Sequence, residues 1–302
     1  MYAAGIASMP PERGRSEFAV TQAIPLEFDG GQTRIVGETM VKSYQAAMSA
    51  HGVEVSPLQV AEALGTSFTD MVRATAEKHP ELQDAQLVIV AHHTPDLIPG
   101  DVPAVTMVAS QSPGAAAGFA VCDEGPLVSF TAVDLARRFA SRHGYRRALV
   151  LVAENATYPY APDSSESQRV DRGACVLLVV EPSEQSETVI DRRFVSAAVH
   201  PEAVERTVLQ LAESSLERAE RDGFAAAFVL GHALRDHATA VSARTEREVI
   251  LGDVGQPATA VWRAAARRFG QSAPVPIILM DFDPEAQTLV ACGLLSPGTG
   301  IP

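Results

Sequence analysis

The chain has 302 residues, of which 46% are hydrophobic, so it is long enough for a large core and for two domains or one intimately joined pair. A formal net charge of −13 argues against a nucleic-acid partner, because phosphate recognition needs clustered Lys and Arg. The three cysteines, Cys122, Cys175 and Cys292, lack metal-ligand spacing, and their odd number argues against a disulfide framework. In chain order, residues 2–8 read as a weak first strand and residues 10–32 as loop. Two helices are predicted over 36–51 and 57–78, the first ending at Gly52. Gln86-Leu87-Val88-Ile89-Val90-Ala91 is a continuous apolar run, the pattern of a strand covered on both faces, and His92-His93-Thr94 follow it. A helix over 102–111 comes next.

The stretch from Ala117 to Ala136 organises the rest. An apolar strand, Ala117 to Val121, runs into the turn Asp123-Glu124-Gly125, and Pro126 opens a helix carrying Leu127, Phe130, Val133 and Leu135 at helical spacing. Such a helix start aims free backbone N–H groups and a positive dipole end at whatever occupies the turn. Asp123 and Glu124 beside it fit helix-capping or solvated roles. Further strands are predicted at 147–152, 173–180, 188–198, 224–230 and 249–251, with helices over 201–222, from about 236, and over 256–269. The runs 276–282 and 288–295 flank Asp283-Pro284-Glu285, a hairpin turn. Strands alternating with helices in two halves, divided near 182, imply an α/β fold of layered sheets and helices. The first 20 residues lack a basic start followed by an apolar run, and no stretch of about 18 apolar residues occurs. A cytoplasmic protein off the membrane is the expectation.

The order strand, Cys-bearing turn, buried helix, then strand-Gly231-His232, then Gly252-Asp253 and a helix resembles the thiolase superfamily, and within it the ketoacyl synthase III-like enzymes. The resemblance covers about 85–301. It implies an αβαβα layered fold of two similar halves, 1–182 and 183–302. It also implies an acyl substrate on CoA or on the phosphopantetheine of an acyl-carrier protein, with no other cofactor and no metal. A homodimer, or a heterodimer with a related synthase, would form through the strand 118–122. Family enzymes carry a Cys before the central helix, a His after a second-half strand, and an Asn in a Gly-Asn turn.

Residue by residue, the likeness is uneven. Gly125 stands where the reactive Cys belongs and cannot form a thioester. Cys122, three residues earlier, reads as a buried strand cysteine; Cys175 and Cys292 read as core. His232 occupies the family's His position, and His237 reads as solvent-facing. Asp253 stands where condensing enzymes have Asn, in Asp-x-x-x-Pro-Ala, which resembles a branch that makes esters; it also reads as a helix N-cap. An Asp beside His232 would raise the ring's basicity and suit deprotonating an alcohol. The glycine-rich loop near the family's C-terminus is replaced by Asp281-Phe282-Asp283-Pro284-Glu285, which reads as erosion of the pocket. Two functions follow. One is an acyltransferase to a hydroxyl or amine acceptor, with His232 and Asp253 as catalytic residues and no acyl-enzyme. The other is a non-catalytic subunit partnering an active synthase in polyketide, fatty-acid-type or secondary-metabolite biosynthesis. A decarboxylase that needs no nucleophile is the third.

Overall fold

Two five-stranded sheets with the same strand order carry the molecule. The computed structural model describes residues 17–28, 33–34, 37–50, 54–79, 83–94, 96, 104–111, 114–122, 124–156, 170–183, 188–195, 201–220, 225–269 and 275–294. The predicted strand at 2–8 and Asp123 lie outside them. In the first sheet β5 (Ala117–Val121) and β6 (Ala148–Glu154) flank β4 (Leu87–Ala91) in parallel. β7 (Ala174–Ser183) then pairs antiparallel with β6, and β1 (Glu17–Glu27) antiparallel with β7. The second sheet repeats this arrangement. β10 (Val249–Leu251) and β11 (Ile277–Asp283) flank β9 (Ala227–Leu230) in parallel, and β12 (Thr288–Leu294) and β8 (Thr188–Phe194) follow antiparallel. A two-residue ribbon, β2 (Thr33–Arg34) with β3 (Leu64–Gly65), stands apart.

Alternation along the buried strands sorts the core into layers. Leu87, Ile89 and Ala91 of β4 face the space between the sheets, while Val88 and Val90 face outward. The space between is filled by α5 (Val128–His143) and α8 (Ala260–Phe269). Outside the first sheet lie α3 (Phe68–Lys78) and α4 (Ala104–Gln111); outside the second lie α6 (Pro201–Ala219) and α7 (Ala238–Thr245). The result is the expected αβαβα layering. α1 (Glu38–Ala50) and α2 (Pro57–Glu62) pack together as a smaller cluster at the side.

α5 earns its central place by composition. Ala132, Ala136 and Ala140 let both sheets approach closely, and Phe130 meets Trp262 of α8 with ring centroids 5.5 Å apart. Gly144, in the left-handed conformation at φ 68°, ends the helix. Both central helices are entered through a positive-φ glycine, Gly125 at 53° before α5 and Gly255 at 73° before α8.

Three expectations need correction. The loop predicted over 10–32 contains β1, which holds Phe18, Val20, Ala23 and Leu26 against the core. Its Pro25 is tolerated because β1 is an edge strand, and a bulge between Val20 and Gln22 absorbs the irregular pattern. The helix predicted over 57–78 is two helices, because Ser67 accepts from the N–H of Asp70 and starts α3 afresh. Cys122 is exposed rather than buried, since β5 is also an edge strand.

Candidate functional site

Backbone turns deliver the site residues to one junction between the halves. β11 packs against both the 3-10 turn Gly125–Leu127, which feeds α5, and the 3-10 turn His232–His237, which follows β9. The end of β9 is fixed from both sides: Gly231 N–H donates to Met280 O at 2.8 Å, and Gly252 N–H donates to Leu230 O at 2.8 Å. His232 is therefore presented at a rigid strand end. Its ring is half-buried, and its Nδ1 is buried with no hydrogen-bond partner among the described residues. His237 closes the same turn and is also half-buried.

Asp253 goes elsewhere. Its Oδ2 accepts from Arg267 at 2.9 Å and lies 3.8 Å from Arg263, both on α8. Among the described residues no hydrogen bond or ion pair joins it to His232. Two guanidinium groups on α8 hold that carboxylate. The side chain of Asp253 ties its turn to α8.

The carboxyl group that does reach His232's strand end is Asp281. It is 2% exposed, and its Oδ1 accepts the N–H of Phe282 at 2.9 Å. A Cβ at Gly231 would fall 1.9 Å from that Oδ1 and 2.5 Å from Oδ2, so glycine is required immediately before His232 to make room for the acid. Oδ2 has no partner among the described residues. Burial pushes the Asp281 carboxyl up to about 8, and the nearby carboxylates of Glu154 and Asp283 add to the rise against the Phe282 N–H. The segment that reads as an eroded loop thus plants a buried, neutral acid against Gly231, the residue before the histidine.

Glu154, at the end of β6 and fully buried, anchors the opposite wall. It accepts Ala258 N–H at 2.7 Å and Thr259 N–H at 3.0 Å, together with the Thr259 hydroxyl, at the start of α8. His93 Nδ1 lies 3.7 Å from its Oε1. This is a carboxylate on a helix N-terminus, satisfied by the dipole and free N–H groups. Ser129 Oγ in the first turn of α5, and both amide atoms of Gln256 before α8, lack partners among the described residues. Buried polar groups are normally satisfied, so their presence at both helix starts marks a polar junction.

Gly125 has no side chain and brings no nucleophile to its turn. Glu124 accepts from Thr131 and pairs with Arg192 of β8 at 3.6 Å, an arrangement on the surface. Cys175 and Cys292 are fully buried, and burial pushes both thiols up to about 12. The signals for Asp281 and Glu154 were present as acids in apolar strands, Ile277-Ile278-Leu279-Met280-Asp281-Phe282 and Ala148-Leu149-Val150-Leu151-Val152-Ala153-Glu154. A cavity of about 570 Å³ lined by Asp84, Gln86, Arg146, Arg147 and Glu181 opens at the other end of the first sheet. Arg147 pairs there with Glu181 at 2.7 Å. Among the described residues no group of three His, Cys, Asp or Glu is placed to hold a metal ion, and no helix is long and apolar enough to cross a membrane.

No protein-family profile matches the chain, and no curated protein matches its sequence. Solved structures do match in shape. The chain is similar to 3-oxoacyl-(acyl carrier protein) synthase III, FabH, of Pseudomonas aeruginosa PAO1, at TM-score 0.56 and 15% identity, over 93% of this chain and 98% of that one. It is also similar to OleA of Xanthomonas campestris. A cysteine-to-serine variant of that protein with bound lauric acid and lauroyl-CoA aligns at TM-score 0.55 and 14% identity, over 92% of this chain and 99% of that one. A glutamate-to-glutamine variant aligns at TM-score 0.56 and 13% identity. The chain has the thiolase-like fold of these ketoacyl synthase III-like proteins.

Proposed function

We propose that this protein is an acyltransferase that moves an acyl group from a CoA or acyl-carrier-protein thioester to a hydroxyl or amine acceptor, without an acyl-enzyme. The observation that carries the reading is the unpartnered Nδ1 of His232, held at the end of β9 where β11 brings it together with the turn before α5. With Gly125 in the turn, the thioester carbonyl itself occupies the helix start, where free N–H groups polarise it. His232 takes the acceptor's proton as the acceptor attacks. Asp253 acts at a distance, by holding the 252–259 turn against α8. In the same reading two chains pair along the edge strand β5, as a homodimer or with a related synthase.

The experiment is free-thiol release from lauroyl-CoA by the purified full chain, with intact-protein mass measured in parallel. His232→Ala is expected to lower release by about 10²–10⁴-fold, the usual worth of positioned acid–base catalysis, with no acyl adduct on the protein. An adduct on Cys122 would replace direct transfer with a shifted nucleophile. The second reading, a non-catalytic subunit of an active synthase, draws on the capture of Asp253 by Arg267. It would be the better account if the chain alone turns over nothing and His232→Ala leaves a co-purified synthase unaffected.

A further inference from the structure

We infer that His232 and Asp281 together bind the hydroxyl group of the acyl acceptor, an alcohol or water, between His232 Nδ1 and Asp281 Oδ2. The inference rests on the acyl-transfer reading and adds a residue and an acceptor class to it. Both atoms are buried polar atoms with no hydrogen-bond partner among the described residues, and they belong to adjoining pieces of chain. Asp281 lies against the backbone of Gly231, the residue before His232. Protein interiors rarely leave such atoms unmet, and a bound group is one way of meeting them.

The chemistry of the two atoms selects the group. The charges acting on Asp281 are those of Glu154 and Asp283, both negative. Glu154 is committed to Ala258, Thr259 and His93, while Asp283 accepts the N–H groups of Glu285 at 2.8 Å and Ala286 at 3.0 Å. A buried carboxyl in such company keeps its proton at neutral pH and is a hydrogen-bond donor. A neutral imidazole offers Nδ1 as an acceptor. A hydroxyl accepts from the first and donates to the second. An alkylamine stands at neutral pH as an ammonium group, which only donates, and a carbonyl only accepts.

In the transfer step the hydroxyl oxygen forms a bond to the thioester carbonyl carbon as its proton passes to His232 Nδ1. The carbon–sulfur bond breaks, and the leaving thiolate takes the proton from the imidazolium. The products are free thiol and an ester from an alcohol, or a carboxylic acid from water. No oxidant or further reactant is needed.

The test gives lauroyl-CoA to the full chain with water alone, with 1-propanol or with propylamine, and measures thiol release and product mass. Formation of lauric acid or propyl laurate is expected to exceed any formation of N-propyl lauramide; propyl laurate identifies the alcohol as acceptor and lauric acid identifies water. Asp281→Leu should lower kcat in the hydroxyl arms by about 10²-fold at unchanged KM for lauroyl-CoA. Asp281→Asn, which keeps a donor at the Oδ2 position, should stay within about tenfold of wild type. Independently of turnover, the Asp281 carboxyl followed by ¹³C NMR should titrate near pH 8. Preference for amide formation from propylamine, full hydroxyl activity in Asp281→Leu, or an Asp281 carboxyl already ionised at neutral pH would overturn the site. If His232→Ala abolishes release while Asp281→Leu does not, this inference alone falls. If no arm releases thiol, or His232→Ala is as active as wild type, acyl transfer falls and takes the hydroxyl site with it.

Discussion

Replacing Asp281 with Asn should make the fold less sensitive to alkali, by an amount set by the burial of one carboxyl group. The Asp281 carboxyl titrates at about 8 in the folded protein, against an ordinary value of 3.8. Between those values the folded chain holds a proton that the unfolded chain has released. The contribution of the protonated acid is complete below about pH 4 and is lost progressively as pH rises towards 8. Each pH unit in that window is worth about 1.4 kcal/mol. From pH 5 to pH 8 the wild type should therefore lose about 4 kcal/mol that the Asn variant, which cannot ionise, retains. Asn also keeps the oxygen that accepts the Phe282 N–H, so the two proteins share their contacts at pH 5. Urea unfolding followed by circular dichroism at pH 5, 6.5 and 8 measures the difference. A gap between variant and wild type that stays constant across that range would refute the reasoning.

Gly231→Ala should destabilise the protein by about 3 kcal/mol, because the new methyl group meets the carboxyl group of Asp281 inside the core. Adding Asp281→Ala should recover most of the loss, a coupling that a double-mutant cycle reads directly. In the native protein iodoacetamide should label Cys122 alone, with Cys175 and Cys292 reacting only after denaturation, as peptide mass spectrometry would show. Arg267→Ala should cost no more than about 1 kcal/mol in urea unfolding, since the pair it breaks with Asp253 is partly exposed. Light scattering at micromolar concentration should find a dimer, and Ala120→Arg on the exposed face of β5 should reduce it to a monomer.

The layered fold was legible because it is written in local pattern. Continuous apolar runs at 87–91, 148–153 and 227–230 mark strands covered on both faces, their shortness separating them from buried helices. The Gly-Pro entry to α5 and the alanines along it likewise declare a helix with close neighbours on two sides. β1 is not legible in the sequence because an edge strand with a proline and a bulge keeps neither a clean apolar run nor a clean alternation. Gly125 and His232 could be placed from the sequence, since each follows a strand by a fixed few residues.

Which acid lies at the strand end that carries His232 was decided only in three dimensions. Asp253 has the spacing of a partner for His232, yet sequence spacing is silent about Arg267, fourteen residues on and one helix face away, which takes it. Asp281 stands near the end of an apolar strand as one of three acids in five positions, 281–285, and the sequence alone does not set it apart from the other two. Its meaning comes from the pairing of β11 with β9, which sets it beside Gly231, and from a glycine whose missing side chain leaves the space. Periodicity reports which face of an element is buried. Competition among charges for one another depends on distances across the core, and those exist only once the sheets have closed on α5 and α8.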